Sequence, residues 1–564
     1  MKWIQKQAKV TPKQDDLPVE KIAKIRGIKD LNRFLYPTKN EMFDPYLMKN
    51  IEEASNRIIR AVKTNERIVV SYDPDADGLT SASTMIRYLK NYTENVDYIY
   101  GERNDGHGIY EMLKVSSNPE HAERNARSQA NLEKIKECDL LILIDSSSND
   151  TKACQGIAEK LGKEIIVLDH HAIERENPYV LLVNPQQEGC EYPNKQLSGA
   201  GVVFKVICVM EDTLGEVDPE YYLDLVAVGM YADVMRIDVL ENRYMIMQGL
   251  RNINNTGLTR ILKGAKADLF KLNGDSIGFS IAPLINGVAR MDNIKLAIDI
   301  LLEDDDAKCK PIRLKMQKIN ESRKVLQKSI VDQYMTKVDQ TQKALIVMDE
   351  QSSKGFNGIV AQQLTDIYKR PAIVGRLHNG TISGSFRSFN NFKFKSFLAE
   401  FNEGRLPSDG LIEALGHEGA GGIVVSEELL GELQEYINKN LPDLEHEEPT
   451  VIYDVEIEAS EVPEYIQAVQ AFNLLAGNGF PKVIVRVNNV TVEEQKCIGK
   501  TMETVKISTF DSMELIKFKV NEHYASELGY FDSIDVVGQL SVNEFYNFAT
   551  KVKTITNQVM IQDY

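Results

Sequence analysis

Short aliphatic runs alternate with longer segments of helical periodicity between about residues 65 and 240. Residues 67–72, 139–144 and 164–168 form the clearest runs, and each is bounded by polar or turn-forming residues. Runs of this kind are typical of strands that are buried on both faces of a parallel sheet and covered by the intervening helices. The pattern therefore predicts a doubly wound α/β domain, to which we assign residues 66–305.

The remainder of the chain shows three further patterns. Residues 306–340 are charged and predict a long connecting helix, and residues 341–440 repeat the α/β pattern on a smaller scale. An acidic stretch at 441–449 contains two prolines and predicts a linker. Residues 450–564 are rich in β-forming residues and predict a small C-terminal barrel compatible with an OB-fold.

Composition narrows the compartment and the kinds of partner. The six cysteines are scattered without a CxxC pair, which argues against a thiolate zinc site and a disulfide framework and favours the reducing cytoplasm. No apolar run has the length of a membrane span, and the first residues do not resemble a signal peptide. The net charge of −17 argues against a protein coated in nucleic acid but permits a local basic groove. Bound cations would offset clustered carboxylates.

An aspartate follows each predicted strand: Asp73, Asp145 and Asp169. The carboxyl ends of parallel strands form one crevice, so we expect these side chains to converge. Asp73 begins an alternating motif with Asp75 and Asp77, which places several carboxylates in a small volume. Mg²⁺ or Mn²⁺ would relieve their repulsion by accepting the oxygens as ligands. Taken alone, this motif is also compatible with a polar surface turn or a calcium loop.

Two further segments add ligand-type side chains. His170 and His171 directly follow Asp169, and a neutral imidazole can bind a metal while a nearby carboxylate fixes its tautomer. Asp233 ends the segment 229–233. A single strand-terminal aspartate is often only a helix cap. In combination, the four segments predict a two-metal phosphoesterase, and the excess of carboxylates over imidazoles favours Mn²⁺ or Mg²⁺ over zinc.

The order of these motifs resembles that of the DHH phosphoesterase superfamily. Residues 416–422, Gly-His-Glu-Gly-Ala-Gly-Gly, resemble the GHxxAGG signature of the companion DHHA1 domain. Segments 26–45, 103–108, 281–291 and 384–388 are similar to segments of the RecJ branch, so that the resemblance covers nearly the whole chain. It implies that residues 1–65 pack on the DHH domain, that 341–440 form a DHHA1 domain and that 450–564 form an OB-like domain.

The resemblance also implies an activity. It is that of a metal-dependent exonuclease that hydrolyses single-stranded DNA from 5′ to 3′ into mononucleotides, in DNA repair and recombination. Two divalent ions, Mn²⁺ or Mg²⁺, would be the cofactors. Single-stranded DNA would be the substrate, a single-stranded-DNA-binding protein or a helicase is a further partner to be expected, and no membrane is involved.

Family roles can be carried over to the matching positions. The implied metal ligands are Asp75, Asp77, Asp145, His170 and Asp233. The implied catalytic residues beside the ions or at the scissile phosphate are Asp73, Asp169 and His171. The implied contacts to DNA and its 5′ phosphate are Arg103, His107, Arg290, Ser385, Arg387 and His417. Ser71, Leu284 and Ser353 depart from the residues usual in the family.

Two alternatives remain open at this point. A DHH phosphodiesterase for cyclic dinucleotides or short oligonucleotides would share the metal motifs, but such enzymes commonly have two domains and lack the predicted barrel. A non-catalytic binding module would share the fold, but degenerate relatives of that kind usually lose the metal aspartates, which this chain retains.

Overall fold

The computed structural model describes residues 1–350, 352, 354–406, 408, 410–444, 450–499, 502–547 and 551–564. These residues form a mixed α/β structure with four sheets. Of the predicted linker, residues 445–449 lie outside the described residues.

The N-terminal segment contains one strand and three helices: β1 (Lys2–Gln5), α1 (Pro18–Arg26), α2 (Leu31–Leu35) and α3 (Ile51–Lys63). Helix α3 is amphipathic, because Ile51, Ile58 and Val62 are buried while its glutamates are exposed. Its apolar face packs on the first α/β unit, described next.

A five-stranded parallel sheet forms the centre of the first α/β unit. Its strands are β2 (Ile68–Tyr72), β3 (Val96–Tyr100), β4 (Leu140–Ile144), β5 (Glu164–Leu168) and β6 (Leu181–Val183). Its helices are α4 (Ala76–Leu89), α5 (Gly108–Leu113), α6 (Ala122–Glu137), α7 (Thr151–Gln155), α8 (Gly199–Leu214), α9 (Leu223–Ala232), α10 (Leu240–Arg251), α11 (Thr256–Gly264), α12 (Ala282–Ala289) and α13 (Ile294–Leu302). Two π-helical segments cover Gly156–Lys160 and Ser276–Ile281. The strand order is β3-β2-β4-β5-β6.

The three predicted strands are the three central ones. β2 and β4 are buried along their whole length, and β5 is buried except at its first residue. This confirms the prediction of a parallel sheet covered on both faces. The pattern missed the two edge strands: β3 is half-exposed and contains Asp97, and β6 has only three residues.

The long connecting helix is α14 (Asp306–Met335), which ends before the predicted limit and includes Pro311. It packs against α11, α12 and α13 of the first unit. At about 1.5 Å per residue, its 30 residues span roughly 45 Å. Neither α14 nor any other helix in the described part of the chain combines the length and hydrophobicity needed to cross a membrane.

The second, smaller α/β unit follows α14. Its elements are β7 (Leu345–Met348), α15 (Lys354–Tyr368), β8 (Ala372–His378), β9 (Thr381–Arg387), α16 (Phe394–Glu400), β10 (Glu413–His417), β11 (Ala420–Ser426) and α17 (Leu430–Asn440). The strand order is β10-β11-β9-β8-β7, in which only β7 and β8 are parallel. Helix α15 packs on β8 and β9 and also contacts α14, so that α14 joins the two units.

The C-terminal unit contains a small barrel, as predicted. Its elements are β12 (Thr450–Tyr453), β13 (Val455–Glu458), α18 (Val462–Asn473), β14 (Val485–Ile498), β15 (Thr504–Thr509), β16 (Met513–Phe518), β17 (Ser533–Asn547) and β18 (Val552–Asp563). The order β14-β15-β16-β18-β17 closes because β17 pairs again with β14. A closed barrel of five strands is the architecture of an OB-fold.

The N-terminal segment contacts the C-terminal unit as well as the first unit. β1 pairs in parallel with β12, and α1 packs on α18. Arg26 forms a buried ion pair with Asp454, and the buried Arg243 donates to the carbonyl oxygens of Phe34 and Leu475. Residues 1–65 therefore contact the C-terminal unit in addition to the first domain, on which the resemblance implied that they pack.

Candidate active site

The predicted aspartates and histidines meet at the carboxyl edge of the parallel sheet. Asp73, Asp145 and Asp169 directly follow β2, β4 and β5. Asp233 reaches the same place from another element, since it caps the C-terminal end of α9. The site is thus assembled from three strand ends and one helix end.

The imidazole of His170 lies at the centre of this group. Its Nε2 is 3.1 Å from Asp145 Oδ1, 3.4 Å from Asp233 Oδ2 and 3.9 Å from Asp77 Oδ2. The His170 Nε2 and Asp145 Oδ1 atoms are buried without a hydrogen-bond partner. Two buried polar atoms left in this state would be costly, and a cation between them would satisfy both.

Two overlapping sets of side chains have the spacing to hold an ion. One set is Asp77, His170 and Asp233, and the other is Asp145, Asp169, His170 and His171. Carboxylate oxygens with an imidazole nitrogen suit Mn²⁺ or Mg²⁺. The residues therefore fit a centre for divalent ions.

The electrostatics of the carboxylates also favour a cation. Burial raises the pKa of Asp145 well above its usual range, and the neighbouring Asp77 and Asp75 raise it further. Burial likewise raises the pKa of Asp77, and it raises the pKa of Asp233 to about 8, with Asp77 adding to the effect. A cation bound among these carboxylates would lower their pKa values and so oppose both the effect of burial and the repulsion between them.

The carboxylate of Asp77 is fixed by the N-terminus of α8. It accepts hydrogen bonds from the Ser198 hydroxyl at 2.8 Å and from the backbone N–H groups of Gly199 at 2.7 Å and Ala200 at 3.2 Å. The positive end of a helix dipole stabilises a carboxylate there. A Cβ atom on Gly229 would lie 2.3 Å from Asp77 Oδ1, and one on Gly199 would lie 2.7 Å from Asp145 Oδ1. Both positions therefore require glycine.

Two residues at the site adopt left-handed backbone conformations. Asp145 has φ of 59°, and Val234, directly after Asp233, also has φ of 59°. Such conformations cost about 1–3 kcal/mol in non-glycine residues and concentrate at functional sites. The Asp145 N–H donates to the Leu168 carbonyl at 2.9 Å, and Asn478 donates to the Val234 carbonyl at 2.8 Å, which hold the two residues in place.

Asp75 is close to the centre but belongs to neither set of possible ligands. It caps the N-terminus of α4, where its Oδ1 accepts the N–H groups of Asp77 and Gly78. Its Oδ2 lies 3.3 Å from the Arg103 guanidinium. Burial alone would raise the pKa of Asp75, but Arg103 and the Gly78 N–H outweigh burial and lower it. Its implied role as a metal ligand stays a prediction.

The implied catalytic residues surround the centre. Asp73 accepts a hydrogen bond from His107 Nδ1 at 2.8 Å, and Asp169 accepts one from His171 Nδ1 at 2.7 Å. Burial lowers the pKa of His171, but its bond to Asp169 outweighs this and raises the pKa to about 9. The half-exposed His171 ring, oriented by Asp169, is therefore suited to contact a phosphate.

Arg290 and Arg387 lie at one end of the acidic centre. Arg290 caps the end of α12 and lines a cavity of about 80 Å³ together with Asp77 and Asp233. Its Nη1 donates to the Gly355 carbonyl at 2.8 Å. The Arg387 guanidinium packs against Gly358 of the same helix α15, and Ser385 is on the same face of β9. The two arginines thus meet at the first turns of α15.

The sequence did not single out Arg323, which belongs to the same cluster. Within the part of the chain that the structure describes, this side chain of α14 donates only to neutral acceptors, Asn320 Oδ1 at 2.9 Å and Gln327 Oε1 at 2.7 Å. Burial lowers the pKa of Arg290 to about 10, and Arg103, Arg323 and Arg387 add to the effect. Among the described residues, Arg290, Arg323 and Arg387 form no ion pair with a carboxylate, which makes their cluster suited to an anion. Arg323 could not be identified from the sequence, because α14 contains many other basic residues.

The other predicted positions have more ordinary surroundings. His417 is exposed at the end of β10, and Ala420 of β11 pairs with both His417 and Arg387, so that the three are neighbours across the sheet. Ser71 is buried in β2 against Met112. Leu284 is partly buried against the core, and Ser353 lies outside the described residues.

Comparisons with known proteins agree with this architecture. Residues 67–230 match the DHH family, N-terminal domain, and residues 453–555 match the RecJ OB domain. The single-stranded-DNA-specific exonuclease RecJ of Bacillus subtilis (strain 168) is 29% identical over 533 residues, which cover 91% of this chain and 64% of the relative. The putative SPbeta prophage-derived single-strand DNA-specific exonuclease YorK of the same organism is 27% identical over 568 residues, which cover 94% of this chain and 93% of the relative.

Solved structures show the same fold. The crystal structure of RecJ in complex with Mn²⁺ from Thermus thermophilus aligns with a TM-score of 0.77 at 22% identity, covering 99% of this chain and 79% of that chain. A crystal structure of exonuclease RecJ bound to manganese aligns with a TM-score of 0.56 at 26% identity, covering 70% of this chain and 96% of that chain.

Fold and site together define a DHH-type protein with a C-terminal OB barrel. More particularly, the chain is similar to RecJ exonucleases over nearly its whole length. The chain spans 64% of the length of the Bacillus subtilis RecJ relative.

Proposed function

We propose that this chain is a metal-dependent exonuclease that hydrolyses single-stranded DNA from the 5′ end to mononucleotides, in DNA repair and recombination. The observation that carries the proposal is the convergence of Asp77, Asp145 and Asp233 on His170 Nε2, all within 3.9 Å. RecJ relatives that align along most of the chain are single-stranded-DNA-specific exonucleases by their descriptions, which supports the choice of substrate.

The ions would be held by Asp77, Asp145, His170 and Asp233, with Asp75 as a further candidate. When bound, two Mn²⁺ or Mg²⁺ ions supply activation of water and neutralisation of charge on the phosphate. The chain's own contribution is orientation. Asp169 fixes the ring of His171 through the bond at 2.7 Å, which holds this imidazole beside the metal-binding residues. Asp73 holds His107 in the same way.

The cluster of Arg290, Arg323 and Arg387 would make the proposed enzyme start hydrolysis at the 5′ end. A terminal phosphate carries more charge than an internal one, and Arg290 and Arg387, with Ser385 beside them, offer donors for several oxygens at once. Arg323 adds positive charge from α14. Because Arg290 also lines the acidic cavity, a 5′ phosphate bound at the cluster would leave the first linkage near the carboxylates. Release of a mononucleotide follows from that spacing.

We also propose the remaining features of this function. The closed barrel would bind the strand beyond the cleft, through backbone charges and stacked bases. A single-stranded-DNA-binding protein or a helicase would supply the strand. The free state of all six cysteines supports a reducing compartment, which we take to be the cytoplasm.

The test is hydrolysis of single strands labelled at either end, in Mn²⁺, Mg²⁺ or EDTA. We expect a strand labelled at its 5′ end to release labelled mononucleotide at once with Mn²⁺ or Mg²⁺, and to stay intact in EDTA. Asp145→Asn should abolish hydrolysis. The matched control is Asp238→Asn, which changes an aspartate paired with the exposed Arg236 and should leave hydrolysis unchanged.

Release of label first from the 3′ end would refute the proposed direction of hydrolysis. Activity confined to cyclic dinucleotides or very short oligonucleotides would replace this function by the second candidate.

A further inference from the structure

A large aromatic side chain, Phe279, is exposed shortly before the helix that lines the acidic cavity. Its ring belongs to the π-helical segment Ser276–Ile281 and is 77% exposed. Burial of a phenyl ring is worth more than that of most side chains, so this exposed ring offers a large apolar face to a ligand. π-helical segments are rare and are frequently found at functional sites.

The π-helical segment continues directly into α12, and this helical run passes along the acidic cavity. Asn286 and Arg290 line the cavity, and Asn286 Oδ1 also accepts the Ala76 N–H at 3.0 Å. Phe279 precedes Asn286 by seven positions, which corresponds to about 10 Å of helix. The order along the run is therefore Phe279, then the cavity, then Arg290 with the arginine cluster.

The segment that carries Phe279 is firmly supported. Tyr231, close to Asp233 in sequence, packs against this segment, since a Cβ on Gly278 would lie 3.4 Å from the Tyr231 ring and one on Gly274 would lie 2.7 Å from the Tyr231 hydroxyl oxygen. The Tyr231 hydroxyl donates to the Ala476 carbonyl at 2.8 Å, and the Gly274 N–H donates to the Leu474 carbonyl at 3.0 Å. Along the chain, Phe279 thus lies between Gly274, which contacts the C-terminal unit, and Asn286, which lines the cavity.

We infer that Phe279 is a stacking platform for a base on the 3′ side of the linkage that is cut. The inference rests on the proposed function, because the arginine cluster at the other end of the helical run defines the 5′ side. A strand that runs from the cluster past the carboxylates towards the C-terminal unit reaches Phe279 next. At about 10 Å from Asn286, the ring is within reach of roughly the second nucleotide beyond that linkage. Every base has a π-face, so such a platform accepts any sequence.

Continuity with the cleft favours a nucleic-acid base over a protein partner. The ring lies on the same helical run as three residues that line the cavity, Asn286, Ala289 and Arg290, and the acidic neighbour Asp275 is already paired with Lys482 at 2.7 Å.

The experiment measures stacking without hydrolysis. A 5′-phosphorylated 12-nucleotide strand carries the fluorescent base 2-aminopurine at one position in turn, and its fluorescence is followed in EDTA as protein is added. Stacking quenches this base, so we expect quenching to peak at about the second or third position from the cut. Phe279→Ala should remove that peak and weaken binding on the order of 10-fold, within the range expected for one lost stack. Phe279→Trp should restore both.

A matched control and a double comparison complete the test. Tyr221→Ala removes a ring that is 47% exposed at the opposite end of α9, roughly 15 Å from Asp233. This variant should bind like the wild type. Replacement of the quenched base by an abasic residue should abolish the difference between wild type and Phe279→Ala. If the two still differ 10-fold on the abasic strand, or if Phe279→Ala leaves the quenching unchanged, the stacking role is wrong.

Failure of the inference can be told apart from failure of the proposed function. Hydrolysis by the wild type that depends on Mn²⁺ and on Asp145, together with unchanged quenching in Phe279→Ala, overturns only the stacking role. No binding of the strand by the wild type, in EDTA or with metal, overturns both. Loss of self-association in Phe279→Ala, with unchanged binding of DNA, would show instead that the ring contacts a second copy of the chain.

Discussion

At the scale of single residues, the acidic centre is unfavourable in the absence of positive charge. His170 Nε2 and Asp145 Oδ1 are 3.1 Å apart and buried, yet neither has a hydrogen-bond partner. Asp77 and Asp233 bring two further carboxylates to the same nitrogen. Stability alone would favour a neutral side chain at one of these positions. The presence of all of these groups therefore indicates that the site binds a cation.

The first prediction follows from this repulsion. In EDTA, Asp145→Asn should stabilise the protein by about 1 kcal/mol, because it removes a carboxyl group whose ionisation is opposed by burial and by its neighbours, and offers an amide donor to His170. With Mn²⁺ at about 100 times its Kd, the wild type should gain roughly 3 kcal/mol and the variant much less. Thermal unfolding with and without Mn²⁺ measures both effects. A variant that is less stable in EDTA yet gains as much from Mn²⁺ would contradict the assignment of Asp145 as a ligand.

The second prediction concerns recognition of the 5′ end by Arg387. Arg387→Ala should reduce hydrolysis of a 5′-phosphorylated strand by at least about 10-fold, the effect of losing one charge-assisted hydrogen bond. Hydrolysis of a 5′-hydroxyl strand should change much less, so that the preference between the two strands disappears. Arg376→Ala, an exposed arginine on the neighbouring strand β8, is the control. Retention of the preference by Arg387→Ala would place the end-reading site elsewhere.

At the scale of elements, the sequence predicted those features of the fold and site that depend on a single strand or helix. The runs at β2, β4 and β5 are buried on both faces, so composition alone identifies them, and the aspartates that follow must share an edge. Asp233 follows a helix, and its arrival at this edge depends on how α9 packs. Asp75 has the spacing of a ligand, but its local capping of α4 takes up one oxygen.

Contacts between elements could not be read from the sequence. Arg323 and Phe279 have no distinctive neighbours in the chain, and they become candidates only because α14 and the π-helical segment carry them to the cleft. The edge strands β3 and β6 were missed for a related reason, because half-exposed or three-residue strands lack a continuous apolar run.

The third prediction tests the packing of α9 on α4. A Cβ on Gly229 would lie 2.3 Å from Asp77 Oδ1 and 2.6 Å from Thr80 Oγ1. Gly229→Ala should therefore displace the Asp77 carboxylate, destabilise the fold by about 1–3 kcal/mol and weaken Mn²⁺ binding by about 10-fold or more. Denaturant unfolding and metal titration measure the two effects.

Gly431 provides the control for that substitution. It lies in α17, and a Cβ there would have nothing within 4 Å. Gly431→Ala should leave Mn²⁺ binding unchanged and gain about 0.5–1 kcal/mol of stability, as expected for alanine in a helix. Equal effects of the two substitutions on Mn²⁺ binding would argue against a specific role for the space at Gly229.

At the scale of the whole molecule, the two ends of the chain are joined. β1 pairs with β12, and the C-terminal unit shares its hydrophobic core with the first unit. Arg243 is fully buried with its guanidinium 3.9 Å from the centre of the Phe34 ring, and it donates to the Leu475 carbonyl. The sequence predicted a barrel behind a linker, but these contacts fix the position of the C-terminal unit beside the cleft. A DNA strand that leaves the cleft near Phe279 would therefore meet the C-terminal unit, which these contacts hold in a fixed position.

The last prediction tests this connection through the ion pair of Arg26 and Asp454. Their side chains are 4% and 3% exposed, and the guanidinium meets the carboxylate through two bonds of 2.8 and 2.7 Å. Asp454→Ala leaves a buried cation without its partner and should cost about 3–5 kcal/mol of unfolding free energy.

Arg26→Met combined with Asp454→Leu should recover part of this loss, although the carbonyls of Pro481 and Lys482 then lack their donor. Glu133→Ala breaks an exposed pair with Lys136 and should cost less than about 1 kcal/mol. Denaturant unfolding measures all three variants, and hydrolysis of short and long strands by those that fold shows whether the cleft depends on the connection. If Asp454→Ala cost no more than Glu133→Ala, the two ends of the chain would not stabilise each other through this pair.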